Sequence, residues 1–386
     1  MSKGTQAGLL DAPQPQSVYK HGILEQYVIR FATMTASRLT RKRAVLFDGF
    51  AGRGRFDGGK AASAEHMMLG AQKVKGTTQI DIFLVEQNKD DWEKLDTVAH
   101  EYRSRGIRIE TRHGKCEDYL TEVYRHAAGA SLFMFLDPCG AVLPFGTLQP
   151  LLKKRGDWPR TEFLMNFNAD LIRRAGGQYK KGQLDLGGVA KADLVCGGDW
   201  WRETALRAHL ESGGKTWEAA AEAVAVEYAR RLTDGTPFSW AVAPVRRQVH
   251  HQPVYFLIFL TTDPHGFWVF GAAASKAREK WLSFIGPDED EREGMLFDTI
   301  ADQIDREHNA AIATISQNIR NLVADGKDHP VVQRVNEIFG EVFGEAKETA
   351  FTAALRQLVK TDEIQFVKKA TKPHGHIIRR GPALTR

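Results

Sequence analysis

Five short strand-like runs, separated by stretches of helical spacing, constrain the fold of this 386-residue chain more than any other feature. The runs cover residues 44–47, 80–85, 107–111, 132–136 and 163–167, and most of them are strongly apolar. Strands this apolar are buried on both faces, and helices between successive strands are typical of a parallel sheet. The pattern predicts an α/β fold with a Rossmann-like, doubly wound and mostly parallel sheet.

The segment from about 175 to 244 departs from this alternation. Its polar, Gly-rich and Ala-rich stretches predict a helical insertion at the C-terminal edge of the sheet. Beyond it, the runs 254–261 and 266–272 flank the short segment 262–265 and predict a hairpin. Such a hairpin would place one antiparallel strand in the otherwise parallel sheet.

The C-terminal part of the chain predicts a different kind of module. Helical spacing over 331–343 and 347–360 precedes strand-like runs at 364–367 and 376–378. This order of helix, tight turn, helix and two-stranded ribbon is typical of a winged helix-turn-helix. We therefore expect a flexible arm (1–17), a methyltransferase-like α/β domain (18–285), a helical connector (286–325) and a winged-helix-like basic domain (326–386).

The basic residues of this chain concentrate at that C-terminal end. Residues 368–386 contain six Lys and Arg residues and no acid, in a chain whose net charge is +5. A locally basic end favours contact with nucleic acid, with DNA as the expected partner, although a solvated tail has the same composition. The predicted contacts are Arg356 and Lys360 on the second helix, followed by Lys368, Lys369, Lys372, Arg379 and Arg380.

Several other classes of protein are disfavoured by the sequence. No apolar run approaches the roughly 18 residues of a membrane span, and the first residues lack the apolar stretch of a signal peptide. A cytoplasmic protein without a membrane partner is therefore expected. The three cysteines (Cys116, Cys139 and Cys196) are far apart, which argues against a disulfide scaffold and a zinc site, and no metal is predicted.

Acidic side chains follow three of the predicted strands, at the edge where open α/β sheets bind ligands. Asp48 follows the first strand and leads into a Gly-x-Gly turn, Glu86 follows the second, and Asp137 follows the fourth. Glycine lets the backbone approach a ligand closely, and a carboxylate such as Glu86 can accept two hydrogen bonds from a ribose diol. The sequence therefore predicts a nucleoside site at this edge.

The same residues discriminate between nucleoside cofactors. The third glycine position of a dinucleotide fingerprint holds Asp57, whose charge would repel a diphosphate. No Gly-Lys-Ser/Thr follows the turn, which excludes a P-loop. S-adenosylmethionine has no phosphate and carries an amine and a sulfonium, so it suits an acid at the first strand end better than a nicotinamide cofactor does.

These motifs resemble those of class I S-adenosylmethionine-dependent methyltransferases, and more narrowly those of the three-Cys-motif partner proteins. The resemblance covers most of the chain, from the helix at 20–27 through Asp48-Gly49-Phe50-Ala51-Gly52 and Phe135-Leu136-Asp137-Pro138 to the winged-helix-like end. It implies that the methionine part of the cofactor is wrapped by the first turn, at Asp48, Phe50, Ala51, Gly52 and Gly54.

The remaining cofactor contacts implied by the resemblance follow the second and third strands. Glu86 would hold the ribose, and the turn containing Cys116 and Glu117 would lie along the adenine. Lys115 stands where relatives have an acid, so that Glu117 or Asp118 would have to recognise the adenine amine.

Asp137 and Pro138 resemble the start of the Asp/Asn-Pro-Pro-Tyr/Phe motif of amino-methyltransferases. The resemblance implies that Asp137 and a backbone carbonyl accept the hydrogens of the target amine. Cys139 and Gly140 follow, so the aromatic residue of that motif is missing, with Phe145 or Asn166 as candidate substitutes. A nucleophilic role for Cys139 is the alternative, without a His or Lys nearby in the sequence.

Three functions remain open at this point. The first is methyl transfer from S-adenosylmethionine to a nucleic acid base. The second is a catalytically silent adaptor that binds DNA and presents a radical S-adenosylmethionine-like three-Cys-motif protein, the partner that the resemblance suggests. Methylation of a protein or a small molecule is the third.

Overall fold

The strand-like runs of the first half of the chain form a single seven-stranded sheet. We describe residues 13–40, 42–138, 143–153, 159–184, 186–293 and 300–385 of the computed structural model. The strands in chain order are β1 (Arg43–Asp48), β2 (Gln79–Glu86), β3 (Arg108–His113), β4 (Ser131–Leu136), β5 (Arg160–Asn168), β6 (Ser239–Val245) and β7 (Tyr255–Thr261).

The sheet order is β3-β2-β1-β4-β5-β7-β6. Neighbouring strands from β3 to β5 are parallel, whereas β7 runs antiparallel to both β5 and β6. This arrangement confirms the predicted Rossmann-like, mostly parallel sheet with one antiparallel strand. Because these strands are parallel, the ends of β1, β2, β4 and β5 lie at one edge of the sheet. The candidate site was predicted at this edge.

Helices connect and cover these strands. They are α1 (Pro15–Ala36), α2 (Ser63–Val74), α3 (Lys89–Arg103), α4 (Cys116–His126), α5 (Phe145–Leu152), α6 (Ala169–Lys180), α7 (Gly187–Cys196), α8 (Trp200–Glu211) and α9 (Glu218–Thr233). Alternate residues of the central strands, including Phe47, Phe83 and Phe163, pack in one apolar core with residues of α4 to α9. Because side chains alternate along a strand, the neighbouring positions face the other side of the sheet.

Two sequence-based assignments around the antiparallel strand are wrong. The run 266–272 is not the second strand of a hairpin, because it lies inside α10 (Pro264–Glu293). The strand that pairs with β7 is instead β6, which lies at the end of the segment predicted as a helical insertion. The helix predicted to start near His21 begins at Pro15, so that the arm predicted over 1–17 includes helical residues.

The chain divides into two compact units. The first contains the described residues up to Ser17 and Val28–Thr262, and the second contains Val18–Tyr27 and Asp263–Arg386. The second unit contributes α10, α11 (Ile300–Val323), β8 (His329–Pro330), α12 (Val335–Phe339), α13 (Glu348–Lys360), β9 (Ile364–Lys368) and β10 (Ile377–Arg380).

An aromatic core holds the second unit together. Trp268 packs edge-on against Phe339 and Phe351, at ring-centroid distances of 5.8 and 5.3 Å. Its three short strands form a separate sheet in the order β8-β10-β9. None of the helices in the described part of the chain combines the length and the apolar character that crossing a bilayer requires.

Candidate functional site

The side chain of Asp48 organises the turn that follows β1. It is completely buried, and its carboxylate accepts hydrogen bonds from the backbone N–H of Phe50 at 3.0 Å and from the hydroxyl of Ser63 at 2.8 Å. These contacts tie the turn after β1 to the first residue of α2. Asp48 therefore shapes the loop that was predicted to wrap a cofactor.

Backbone hydrogen bonds fix the same loop between two neighbouring strands. Gly49 donates to the carbonyl of Phe135 at 3.1 Å, and Ala51 donates to the carbonyl of Val85 at 3.0 Å. The loop continues through Gly52, whose φ of 59° lies in the left-handed region that favours glycine. A Cβ atom placed on Gly52 would meet no atom within 4 Å, so this glycine faces open space.

Glu86 and Gly52, two of the predicted cofactor contacts, are joined by a hydrogen bond. One carboxylate oxygen of Glu86 accepts from the backbone N–H of Gly52 at 2.9 Å, and the other accepts from Asn88 at 2.7 Å. Each carboxylate oxygen has a second lone pair, so Glu86 can accept further hydrogen bonds from a ligand. Burial raises the pKa of Glu86, and the backbone hydrogen bonds from Asn88 and Gly52 oppose that shift.

The start of α4 borders the same loop. Cys116 is 1% exposed, and a Cβ atom on Gly49 would lie 2.5 Å from its sulfur, so the thiol packs directly beneath the turn after β1. Burial, followed by the nearby carboxylates, raises the pKa of Cys116 well above its usual value. Glu117 is half-buried in the first turn of α4 and Asp118 is exposed there.

Asp137 lies after β4 and is paired with a residue of the next strand. Its side chain is buried, and one carboxylate oxygen accepts a hydrogen bond from the amide Nδ2 of Asn166 at 2.7 Å. Pro138 is half-buried beside it. The predictions made for Cys139 and Gly140 fall outside the described residues.

Two contacts of this site could not be recognised in the sequence. Ser63 opens α2, where it reads as an ordinary polar residue, and Asn166 lies within β5, where the sequence offers it as a candidate for this site but does not indicate its hydrogen bond to Asp137. Their partners Asp48 and Asp137 are 15 and 29 residues away in the chain. Only the strand order and the position of α2 bring these pairs together.

Arg55 and Arg53 anchor the outer part of the loop through ion pairs. Arg55 donates to both carboxylate oxygens of Glu65 and contacts Glu101 at 2.9 Å, while the hydroxyl of Tyr102 also donates to Glu65. Arg53 donates to Asp91 at 2.6 Å. Because their charges are already compensated, these arginines brace the loop against α2 and α3.

We expect Arg55→Ala to lower the free energy of unfolding by about 2 kcal/mol, because it leaves the buried carboxylate of Glu65 without its cation. Chemical denaturation of the full chain measures this change. Glu65→Gln in the same background should recover part of the loss, whereas Arg108→Ala at an exposed position should have an effect below about 0.5 kcal/mol. Equal effects of the two arginine variants would contradict the bracing role.

The predicted nucleic-acid residues separate into two groups in the second unit. Arg356, Lys360, Lys368, Lys369 and Lys372 are exposed, and none of them forms an ion pair with a residue of the described ranges. The other two are engaged within the unit itself: Arg379 pairs with Asp328 at 2.5 Å, and Arg380 donates to the carbonyl of Ala324 at 3.4 Å.

Comparisons with known proteins give weak likenesses only. No protein-family profile matches the chain, and no curated protein sequence matches it. Among solved structures, an rRNA methylase from Streptococcus thermophilus is 12% identical with a TM-score of 0.30, over 64% of this chain and 96% of that protein.

Two further structures are similar at the same level. M. jannaschii TYW2 in complex with AdoMet is 8% identical, with a TM-score of 0.27 over 61% of this chain and 75% of that protein. A geranyl diphosphate methyltransferase in complex with SAM is 12% identical, with a TM-score of 0.26 over 61% and 85%. Likenesses this weak support no inference about this chain, whose fold and site rest on its own strand order and contacts.

Proposed function

We propose that this protein binds S-adenosylmethionine at the ends of β1 and β2 and transfers its methyl group to a nucleic acid base. The observation that carries the proposal is the contact between Glu86 and Gly52, which places an acid able to accept from a ribose beside a left-handed glycine that faces open space. This contact lies at the carboxyl edge of a mostly parallel sheet, where α/β proteins bind nucleosides.

The residues at this edge fit the cofactor. Glu86 retains lone pairs for the ribose hydroxyls, and the open space beside Gly52 leaves room for the ligand next to the backbone. Asp48 supports the loop from beneath through Phe50 and Ser63. When bound, S-adenosylmethionine supplies a methyl group activated by a positively charged sulfur.

The acceptor would be held at Asp137. A carboxylate at this position can accept a hydrogen from an incoming amine and orient the amine's lone pair. Asn166 fixes the direction of the carboxylate by donating to one of its oxygens. The protein thus contributes positioning, which is the main requirement when the transferred group is already activated.

The second unit supports the choice of a nucleic acid acceptor. Its order α11, β8, α12, α13, β9 and β10 supports our proposal of a winged helix, in which α13 would enter the major groove and the β9–β10 turn would contact the backbone. Arg356 and Lys360 lie on exposed positions of α13, Lys368 ends β9, and Lys369 and Lys372 lie on the turn that follows it. Arg379 and Arg380 remain predicted contacts that would have to leave their present partners.

Replacing Lys368, Lys369 and Lys372 together with glutamine should weaken binding to duplex DNA and reduce its salt dependence. Loss of three phosphate contacts should make the negative slope of log K against log salt shallower by about 3. Fluorescence anisotropy with a labelled duplex at several salt concentrations measures both effects. A control triple variant at the exposed residues Lys73, Lys94 and Lys215 should leave the slope unchanged; an equal change would show that the turn has no special role.

We also propose two features of this protein in the cell. One is the cytoplasmic location that the sequence predicts, and the other is the partner that the family resemblance suggests, a three-Cys-motif protein resembling radical S-adenosylmethionine enzymes. Co-purification of the two proteins from cells that express both would test the partner directly.

The decisive experiment combines cofactor titration with a search for the methylated product. The full chain is titrated with S-adenosylmethionine by calorimetry and then incubated with tritium-labelled cofactor and mixed DNA, RNA and cellular protein. Binding followed by label in nucleic acid supports the proposal. Binding with no transfer would favour the silent adaptor, and label in protein or in small molecules would replace the proposed acceptor.

A further inference from the structure

We propose that the turn joining β9 and β10 is a pH-sensitive element, held closed by a hydrogen bond that exists only while His376 is neutral. The turn covers residues 369–376 of the second unit. Its opening would move Lys369 and Lys372, two of the proposed phosphate contacts. That consequence rests on the proposed function, whereas the closing of the turn rests on contacts within the second unit alone.

The ring of His376 closes the turn at its base. Its Nδ1 atom accepts a hydrogen bond from the backbone N–H of Ala370 at 2.9 Å. A backbone N–H can only donate, so Nδ1 must keep its lone pair and the proton of the neutral ring must lie on Nε2. Protonation of His376 would place two donors opposite each other and break this contact. The hydrogen bond therefore depends directly on the charge of the ring.

The two arms of the turn lie close together around this hydrogen bond. A Cβ atom placed on Gly375 would lie 2.9 Å from that of Ala370, and Gly375 donates to the carbonyl of Lys372 at 3.0 Å. The ring of His376 lies 4.7 Å from that of Phe366 on β9, measured between centroids. The closed turn is thus a compact arrangement built around the neutral ring of His376.

A second histidine of the turn lies in surroundings that disfavour a positive charge. The ring of His374 lies 5.4 Å from that of Trp268 and 5.7 Å from that of His265, measured between centroids. Burial, followed by the charge of His265, lowers the pKa of His374. The carboxylate of Glu348 opposes this shift, and the charge of Lys372 adds to it. Both histidines of the turn are therefore held toward their neutral forms.

The charged groups around the turn also disfavour a proton on His376. Burial lowers the pKa of its ring, and Lys369 and then His374 add to that shift. Lys368, at the end of β9, is a further exposed positive charge. Four carboxylates of neighbouring elements are engaged with other groups, in the pairs Asp263–His265 at the start of α10, Asp325–His329 and Asp328–Arg379 beside β8 and β10, and Glu337–Arg334 after β8.

Acidification should therefore open the turn. The closed turn, with its lowered histidine pKa, binds a proton less readily than an open turn, whose histidines return toward the ordinary pKa of about 6.5. The free energy that favours the closed turn is complete above this ordinary pKa and is lost as the pH falls through the lowered one. Mildly acidic conditions should thus separate the arms of the turn at Ala370 and Gly375.

NMR of the full chain, labelled with nitrogen-15 in histidine and alanine, tests this proposal without any requirement for activity. At about pH 7.5 we expect His376 to carry its proton on Nε2 and the amide of Ala370 to be protected from hydrogen exchange. Between about pH 7.5 and about pH 5.0 the protection factor of Ala370 should fall about tenfold, the size expected for one hydrogen bond. Unchanged protection over this range, or a proton on Nδ1 at the higher pH, would overturn the proposal.

Two substitutions separate the charge of the ring from its hydrogen bond. His376→Asn keeps an acceptor oxygen close to the position of Nδ1 and cannot take up a proton, so Ala370 should stay protected down to about pH 5.0. His376→Ala removes the acceptor, and protection should already be low at about pH 7.5. His250→Asn, at an exposed position of the first unit, should leave the original pH dependence unchanged. Thermal melting confirms that every variant is folded. A pH dependence that persists in His376→Asn, or full protection in His376→Ala, would contradict the role of the ring.

DNA binding distinguishes the pH-sensitive turn from the proposed function. His376→Asn and His376→Ala carry the same charge and differ in the closure of the turn. Fluorescence anisotropy with a labelled duplex at about pH 7.5 should therefore show about threefold weaker binding by His376→Ala, if Lys369 and Lys372 contact phosphates. Equal affinity of the two variants would refute these phosphate contacts alone, and unchanged exchange at Ala370 would refute the pH-sensitive turn alone.

Discussion

Asp137→Ala should reduce methyl transfer to nucleic acid about 1,000-fold and leave the affinity for S-adenosylmethionine within twofold of its original value. The carboxylate lies after β4, paired with Asn166, whereas the proposed cofactor contacts lie after β1 and β2. Its loss removes the group that orients the acceptor amine, an effect that typically costs two to four orders of magnitude in rate. Label incorporation and calorimetric titration of the same preparation measure the two quantities.

Three further variants make this result specific. Asp137→Asn preserves the shape of the side chain and tests its charge, and Asp234→Ala removes an exposed carboxylate elsewhere in the same unit. We expect a large loss with the first and none with the second. If Asp137→Ala keeps more than a tenth of the transfer rate while Cys139→Ser loses it, the chemistry belongs to a cysteine nucleophile and the proposed acceptor site is wrong.

Gly52→Leu should weaken S-adenosylmethionine binding at least about 100-fold. The backbone at Gly52 has a φ of 59°, and a side chain there would point into the open space next to Glu86. The leucine would therefore occupy the volume that the cofactor needs. Titration calorimetry with the cofactor measures the loss directly.

Gly59→Leu is the matched control for this substitution. Gly59 has a φ of 79°, and a Cβ atom there would also meet nothing within 4 Å, so both variants carry similar backbone strain and no steric clash. Only Gly52 contacts Glu86. If both variants lose the same affinity, the effect comes from loop strain, and the site beside Glu86 loses its support.

The sequence predicted the sheet and the clustering of Asp48, Gly52 and Glu86 because both follow from local patterns. Buried parallel strands are continuous apolar runs, and their ends necessarily meet at one edge. Other contacts join residues that are far apart in the chain. They are the hydrogen bonds of Ser63 and Asn166 and the ion pairs of Arg55 with Glu65 and Glu101. No local pattern identifies such partners, so they emerged only from the three-dimensional arrangement.

The misassigned hairpin has an equally specific cause. The run 266–272 is rich in aromatic and apolar residues, which favours a strand, yet it forms part of α10. Asp263 accepts from the backbone N–H of His265 at 3.0 Å and Pro264 opens the helix, so these residues are a helix start rather than a hairpin turn. Burial of Trp268 and Phe270 in the second unit then outweighs their strand propensity.

Ultraviolet cross-linking of tritium-labelled S-adenosylmethionine to the full chain, followed by peptide mapping, tests the cofactor site most directly. We expect label in the peptides that contain residues 48–54, 86 or 114–118, with competition by excess S-adenosylhomocysteine and none by ATP. Label confined to the second unit, or no competable label, would contradict the site at the ends of β1 and β2.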